Sequence, residues 1–259
     1  MRLTVLGCSG SVGGPSVACS GYLLTVPDEQ PLLLDCGPGV FGELQRYVNP
    51  SDVAVALSHL HADHCMDLPA MLVWRRFAPN HAAAQRAPLW GPPGTALRIG
   101  AGSSEFAGDI DDISDTFDTH EWIEGVEVEL GGMTLVPTKM DHPPETYGVR
   151  ITGPQGETLV YSGDTAPCDQ LVEMATDADV FLCEASWTHA PDEHPPHLHL
   201  SGVEAGEAAT KAGVKHLAIT HIPPWTSTDD VVAEARSRYA GPITVVAPGQ
   251  IIDVTPTVV

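Results

Sequence analysis

Short apolar runs recur along the chain, set off by Gly, Pro and Asp and interleaved with stretches of helical spacing. Runs rich in β-branched residues predict strands at Leu3 to Leu6, Tyr22 to Val26, Leu32 to Leu34, Val53 to Leu57, Val126 to Leu130, Thr134 to Thr138, Leu159 to Tyr161, Val180 to Leu182, Leu217 to Thr220 and Ile243 to Val246. Helices are expected after Gly39, His64, Pro167, Ser201 and Thr228. The one after Ser201 opens Ser-Gly-Val-Glu, a capping box with Ser201 at the N-cap and Glu204 three residues on. Gly213 is placed to end a helix. Hairpins mixed with strand–helix units predict an α/β protein whose sheets are covered by helices. No linker divides the chain, so one domain is expected over residues 1–259. Leu33-Leu34-Asp35-Cys36-Gly37 and Val160-Tyr161-Ser162-Gly163-Asp164 each deliver an aspartate and a glycine turn at the end of an apolar strand, which points to a duplicated half.

Charge narrows the partners. Twelve Lys and Arg against 34 Asp and Glu leave a formal charge of −22, and no basic run interrupts it. Such a chain repels a polyanion, so no nucleic-acid partner is expected, although cations in a site can still draw in a single phosphate. Glu105 to Glu129 carries ten acidic residues and no Lys or Arg, and reads as a solvated surface insertion. No apolar run approaches the ~20 residues of a membrane span, and the opening residues read as a strand entering a glycine turn rather than a signal peptide. Cys8, Cys19, Cys36, Cys65, Cys168 and Cys183 lack CxxC pairing and the density of a disulfide scaffold, which fits a reducing cytoplasm.

The strongest chemical signal is Ser58-His59-Leu60-His61-Ala62-Asp63-His64, directly after the strand Val53 to Leu57. Alternating side-chain direction sends His59 and His61 to one side, while Asp63 and His64 serve an adjacent position. Imidazole and carboxylate suit Zn, Mn or Fe. Two cations need more groups than these four, and His142, Asp164 and His221 each follow a predicted strand. Strand-end ligands in an α/β chain converge on one edge. The opening Gly7-Cys8-Ser9-Gly10-Ser11-Val12-Gly13-Gly14 is not GxGxxG and reads as a flexible rim loop beside the site. Cys65 reads as a small buried thiol. His189, His194 and His197, in the loop Trp187 to Leu200, read as surface histidines. Glu184 is a candidate partner for His199, and Trp187 and Trp225 either stack on a base or pack ordinarily.

His59-x-His61-x-Asp63-His64 with His142, Asp164 and His221 resembles the metallo-β-lactamase-fold hydrolases over nearly the whole length. The resemblance implies a four-layer αββα sandwich. It places one metal on His59, His61 and His142 and a second on Asp63, His64 and His221, with Asp164 bridging. Asp35 matches an aspartate that is structural in that family. The single Asp of Ser162-Gly163-Asp164-Thr165 and the histidine of Thr220-His221-Ile222 resemble the tRNA 3′-processing ribonucleases and their phosphodiesterase relatives. Ser58 to Leu68, Phe181 to His189, Leu198 to Gly202 and Thr220 to Thr226 resemble an actinobacterial branch of atypical class II cyclic-nucleotide phosphodiesterases. The basic tRNA-gripping arm of the ribonucleases is missing.

The implied activity is hydrolysis of a phosphoric ester: 3′,5′-cyclic AMP to 5′-AMP by a hydroxide bridging two divalent metals, Zn foremost, with Mn and Fe also suited. Asp63 would orient that nucleophile. His199 would bind the substrate phosphate and protonate the leaving oxygen, since it stands where the ribonuclease branch has a second catalytic histidine. The implied setting is a cytoplasmic homodimer with a small cyclic nucleotide as partner and no membrane. The alternatives are a tRNA 3′-processing endoribonuclease or a non-catalytic metal-binding sensor.

Overall fold

The structure, a computed structural model, describes residues 1–190 and 192–257; residue 191, within the loop Trp187 to Leu200, and residues 258 and 259 lie outside the described residues. In chain order the strands are β1 (Arg2–Gly7), β2 (Gly21–Thr25), β3 (Leu32–Leu34), β4 (Ala54–Ala56), β5 (Ala87–Gly91), β6 (Phe117–Glu121), β7 (Val128–Leu130), β8 (Met133–Lys139), β9 (Tyr147–Thr152), β10 (Thr158–Tyr161), β11 (Val180–Glu184), β12 (Leu217–Thr220), β13 (Ile243–Val245) and β14 (Ile251–Asp253). The helices are α1 (Val40–Leu44), α2 (Ala62–Cys65), α3 (Leu68–Phe77), α4 (Thr95–Ser103), α5 (Asp169–Met174), α6 (Gly202–Ala212) and α7 (Thr228–Arg238).

The strands form two seven-stranded sheets, ordered β14-β1-β2-β3-β4-β5-β6 and β13-β12-β11-β10-β9-β8-β7. Both share one plan. Antiparallel neighbours lead to β3 in the first sheet and β10 in the second, and every later step is parallel. The echo between the Asp35 and Asp164 segments is therefore architectural: β3 and β10 occupy equivalent places. Apolar runs without alternation arise because both faces of these strands are covered. Leu32 and Leu34 face the second sheet, where they join Leu159, Tyr161 and Leu182, while Leu33 between them packs with Leu68, Met71 and Leu72 of α3. In the second sheet Val160, Phe181 and Leu217 pack under α5, α6 and α7. The result is an αββα sandwich with an inter-sheet core and two helix–sheet cores.

The capping box at Ser201 is complete, and Gly213 ends α6 in the left-handed conformation. The helix expected after Thr228 begins at Thr228 itself, capped by the Ser227 side chain. Four strands escaped the apolar pattern. β6 lies inside the acidic segment, where only Phe117 of its five residues is buried, as befits an edge strand. In β9, Gly148 and Arg150 interrupt the run, Arg150 reaching out to the carbonyls of Met174 and Thr176. β5 carries Pro88, and β14 is a short edge. The acidic segment is consequently more than an insertion. It contributes an edge strand, buries Ile113, Phe117 and Trp122, and holds Arg76 between Asp111 and Asp115. Among the described residues no helix is long and apolar enough to cross a membrane.

Candidate metal centre

The parallel strands end at one edge of the sandwich, and there the chain turns sharply. Asp35 after β3 and His221 after β12 adopt left-handed backbone (φ 57° and 60°), as does Gly163 after β10 (φ 58°). For residues with a Cβ this conformation costs on the order of 1–3 kcal/mol and persists where surrounding contacts fix it. The contacts here are explicit. His221 N–H donates to the Cys8 carbonyl at 2.9 Å, and Asp35 N–H donates to the Ala56 carbonyl.

All seven side chains singled out as ligands meet at this edge. His59, His61, His142 and Asp164 each present one ligand atom within 4.8 Å of the others, and Asp63, His64 and His221 do the same. His142 Nε2 lies 3.2 Å from His61 Nδ1, and His64 Nε2 lies 3.1 Å from His221 Nε2. Asp164 stands between the groups, with one oxygen 3.6 Å from His59 Nε2 and the other 3.3 Å and 3.4 Å from His64 and His221. Asp63 reaches His221 Nε2 at 3.3 Å.

The far side of four rings explains why these inner nitrogens are free to bind. His142 Nδ1 donates to the Leu198 carbonyl at 2.6 Å, an oxygen that only accepts. His64 Nδ1 donates to Asp35 at 2.8 Å. The Ser58 hydroxyl gives its proton to Asp35, so its oxygen accepts from His59 Nδ1 at 3.0 Å. The Ser186 hydroxyl gives its proton to Glu184, so it accepts from His221 Nδ1 at 2.9 Å. Each ring thereby turns Nε2 inward, the arrangement by which outer hydrogen bonds fix the tautomer of metal-binding histidines. Ser58 and Ser186 carry no sequence signal of their own; only their places beside His59 and Glu184 single them out.

Titration follows the same geometry. Burial, and then the neighbouring His64 for His59 and His142 for His61, hold those two imidazoles below their ordinary pKa, and burial does the same to His142. Burial opposes ionisation of Asp164 and Asp63, yet the surrounding histidines outweigh it and hold both carboxyls well below the usual range. Burial also disfavours charge on His199, but Glu184, 3.0 Å from its Nδ1, lifts it to about 9.

Buried acceptor atoms without partners mark what the cluster lacks. Among the described residues, His59 Nε2 and one Asp164 oxygen are buried with no hydrogen-bond partner, and both lie within the group. An unpaired buried polar atom costs about 1–3 kcal/mol. Divalent cations remove that cost and suit this nitrogen and oxygen donor set. Because such cations bind the folded state, adding Zn²⁺ to chelator-stripped protein is expected to raise Tm. A thousandfold excess over Kd contributes about 4 kcal/mol, on the order of 10 °C for a chain of this size, readable by differential scanning calorimetry.

The start of the glycine-rich opening is held by backbone hydrogen bonds and lies beside the site. Cys8 and Ser9 donate to the Ala18 carbonyl at 3.1 Å, and Gly10 backs directly onto His221. A Cβ at Gly10 would press on the His221 carbonyl and lie 2.8 Å from its Nδ1. Gly10→Ala is therefore expected to displace His221 and weaken metal affinity by about tenfold or more, measured by competition with a chromogenic chelator.

The histidines of the loop after β11 are also engaged. His189 Nδ1 meets the Ser201 hydroxyl, His197 pairs with Asp141 at 2.8 Å, and His194 stacks on Trp187 with ring centroids 4.2 Å apart. His199 enters the cluster itself, 3.8 Å from Asp164. Cys65 is buried, its thiol against the His61 carbonyl, and all six cysteines are free.

A family model described as beta-lactamase superfamily domain matches residues 31–222. An uncharacterised protein of Mycobacterium leprae is 57% identical over 254 residues, covering 98% of this chain and 89% of the relative. Ribonuclease Z of Mycobacterium bovis is 32% identical over 247 residues, 86% of each chain. The crystal structure of the metallo-β-lactamase-fold protein YhfI from Bacillus subtilis superposes with a TM-score of 0.83 at 25% identity, covering 97% of this chain and 99% of that one. With this match across most of its length and a His/Asp cluster suited to divalent metals, the chain belongs to the metallo-β-lactamase superfamily of hydrolases, among relatives of the ribonuclease Z and YhfI kind.

Proposed function

We propose that this protein is a metal-dependent phosphodiesterase that hydrolyses 3′,5′-cyclic nucleotides, cyclic AMP to 5′-AMP. The observation that carries this reading is the dyad of His199 and Glu184 beside the His/Asp cluster. In this reading His59, His61 and His142 would hold one cation and Asp63, His64 and His221 a second, with Asp164 placed to serve both. Cations held there supply Lewis acidity toward phosphoryl oxygens and make water acidic near neutral pH. The carboxylate of Asp63, whose side chain is 12% exposed, would accept a hydrogen bond from the attacking water and fix its direction. Glu184 holds the Nδ1 edge of His199, so the other ring nitrogen is presented to the leaving 3′ oxygen as a proton donor. The charge of −22 supports a small anion over a folded RNA.

The test is product analysis of metal-loaded protein given cyclic AMP, with Asp63→Ala as blank. Wild type alone is expected to yield 5′-AMP, and His199→Ala to lose about 10²–10⁴-fold in kcat with metal content unchanged. A His199→Ala enzyme of full rate removes the proton-donor role. The similarity to ribonuclease Z favours tRNA 3′ processing as the second reading. Cleavage of a 3′-extended tRNA precursor with cyclic AMP untouched would put it first.

A further inference from the structure

His199 also borders a cavity of about 440 Å³ that the steps above leave unused; Trp187, His194, Trp225 and Asp230 line it too. Its size falls in the range of small-molecule sites. Trp225 is 69% exposed, yet its backbone is fixed. Thr226 N–H donates to the Pro223 carbonyl at 3.0 Å, and the Thr226 hydroxyl donates to the Ser186 carbonyl at 2.9 Å. The sequence thus holds a large apolar ring out at the cavity instead of burying it. Trp187 is likewise held, parallel to His194 and edge-on to His199 at 5.2 Å. Charge gives the cavity a direction. The Asp230 carboxylate repels a phosphate, whereas His199 and the cation-binding cluster attract one. A ligand that satisfies both carries its anion at His199 and a neutral, flat, amino-bearing ring toward Trp225 and Asp230.

We propose that this cavity is a nucleobase subsite, with Trp225 the platform on which a purine stacks and Asp230 the acceptor for its exocyclic amino group. The inference rests on the phosphodiesterase reading for the place of the phosphate. Its test does not use turnover. Metal-loaded protein is titrated in a calorimeter with AMP and with ribose 5-phosphate, which lacks the base.

Wild type is expected to bind AMP about ten- to a hundredfold more tightly, the range of one base–aromatic stack. Trp225→Ala should bring AMP down to ribose 5-phosphate and leave the latter unchanged, while Trp225→Phe keeps most of the preference. Asp230→Ala should erase discrimination between AMP and purine riboside 5′-monophosphate, which lacks the amino group. Equal binding of AMP and ribose 5-phosphate by wild type overturns the subsite, as does a parallel loss of both in Trp225→Ala. Base-dependent binding without hydrolysis of cyclic AMP would keep the subsite and remove the proposed reaction. Hydrolysis with base-independent binding would do the reverse.

Discussion

Asp164→Ala is expected to lower hydrolysis by at least about a thousandfold, a loss of roughly 4 kcal/mol in transition-state stabilisation, and to lower metal content with it. Asp164 is 2% exposed, and its two oxygens lie within 3.6 Å of nitrogens from His59, His64 and His221. This carboxylate turns one oxygen toward His59 and the other toward His64 and His221, so it faces both groups. Removing a single histidine weakens one position. Removing Asp164 takes an anionic donor from each, so less negative charge is left to offset the cations. Asp164→Asn keeps the volume and one neutral oxygen, so it should retain part of the metal and little of the rate. Metal per chain by plasma mass spectrometry, read beside hydrolysis of a chromogenic phosphodiester, checks both. Full metal content with full rate in Asp164→Ala would overturn the bridging role.

The clustering of the candidate residues was legible because their chemistry is dense and local. Four donor side chains between His59 and His64 leave few other readings, and His142, Asp164 and His221 announce themselves as strand-end residues. Apart from Asp35 and the Glu184–His199 pair, most supporting atoms were not legible, because their partners are distant in sequence or carry no distinctive residue type. The Leu198 carbonyl that orients His142 is 56 positions away, and the contact of Tyr161 with Asp35 spans 126. A backbone carbonyl leaves no trace in residue type, and Ser58 and Ser186 look like any serine at a strand end. The fold divides similarly. Strands buried on both faces were read from their apolar runs, while β6, with one buried side chain, reads as loop. Helix α4 hides for another reason: Gly100 and Gly102 dilute its helical pattern, and Gly100 is needed there because a Cβ would press on the Asp111 carbonyl.

Asp35 tests how far the site and the fold depend on one another. Its carboxylate is fully buried and accepts four hydrogen bonds: from the Ser58 N–H at 2.7 Å, the Ser58 hydroxyl at 2.8 Å, the Tyr161 hydroxyl at 2.7 Å and His64 Nδ1 at 2.8 Å. These donors come from both sheets, so one side chain joins the two halves directly behind the cluster. Asp35→Ala leaves all four donors facing a cavity and puts Ala in a left-handed backbone. The expected loss is about 3–5 kcal/mol, or roughly 6–20 °C in Tm by calorimetry. Metal affinity should fall about 10–100-fold, since His64 and, through Ser58, His59 lose the groups that turn them inward. Asp35→Asn separates the two effects. Asn tolerates the left-handed turn and still accepts from the three donors on one oxygen, but its amide then opposes the Ser58 N–H. It should therefore melt between wild type and Asp35→Ala while keeping most of the metal affinity. If Asp35→Ala melts with wild type, the buried carboxylate is not what ties the sheets together. If it melts early but binds metal normally, the outer hydrogen bonds do not set the direction of His64 and His59.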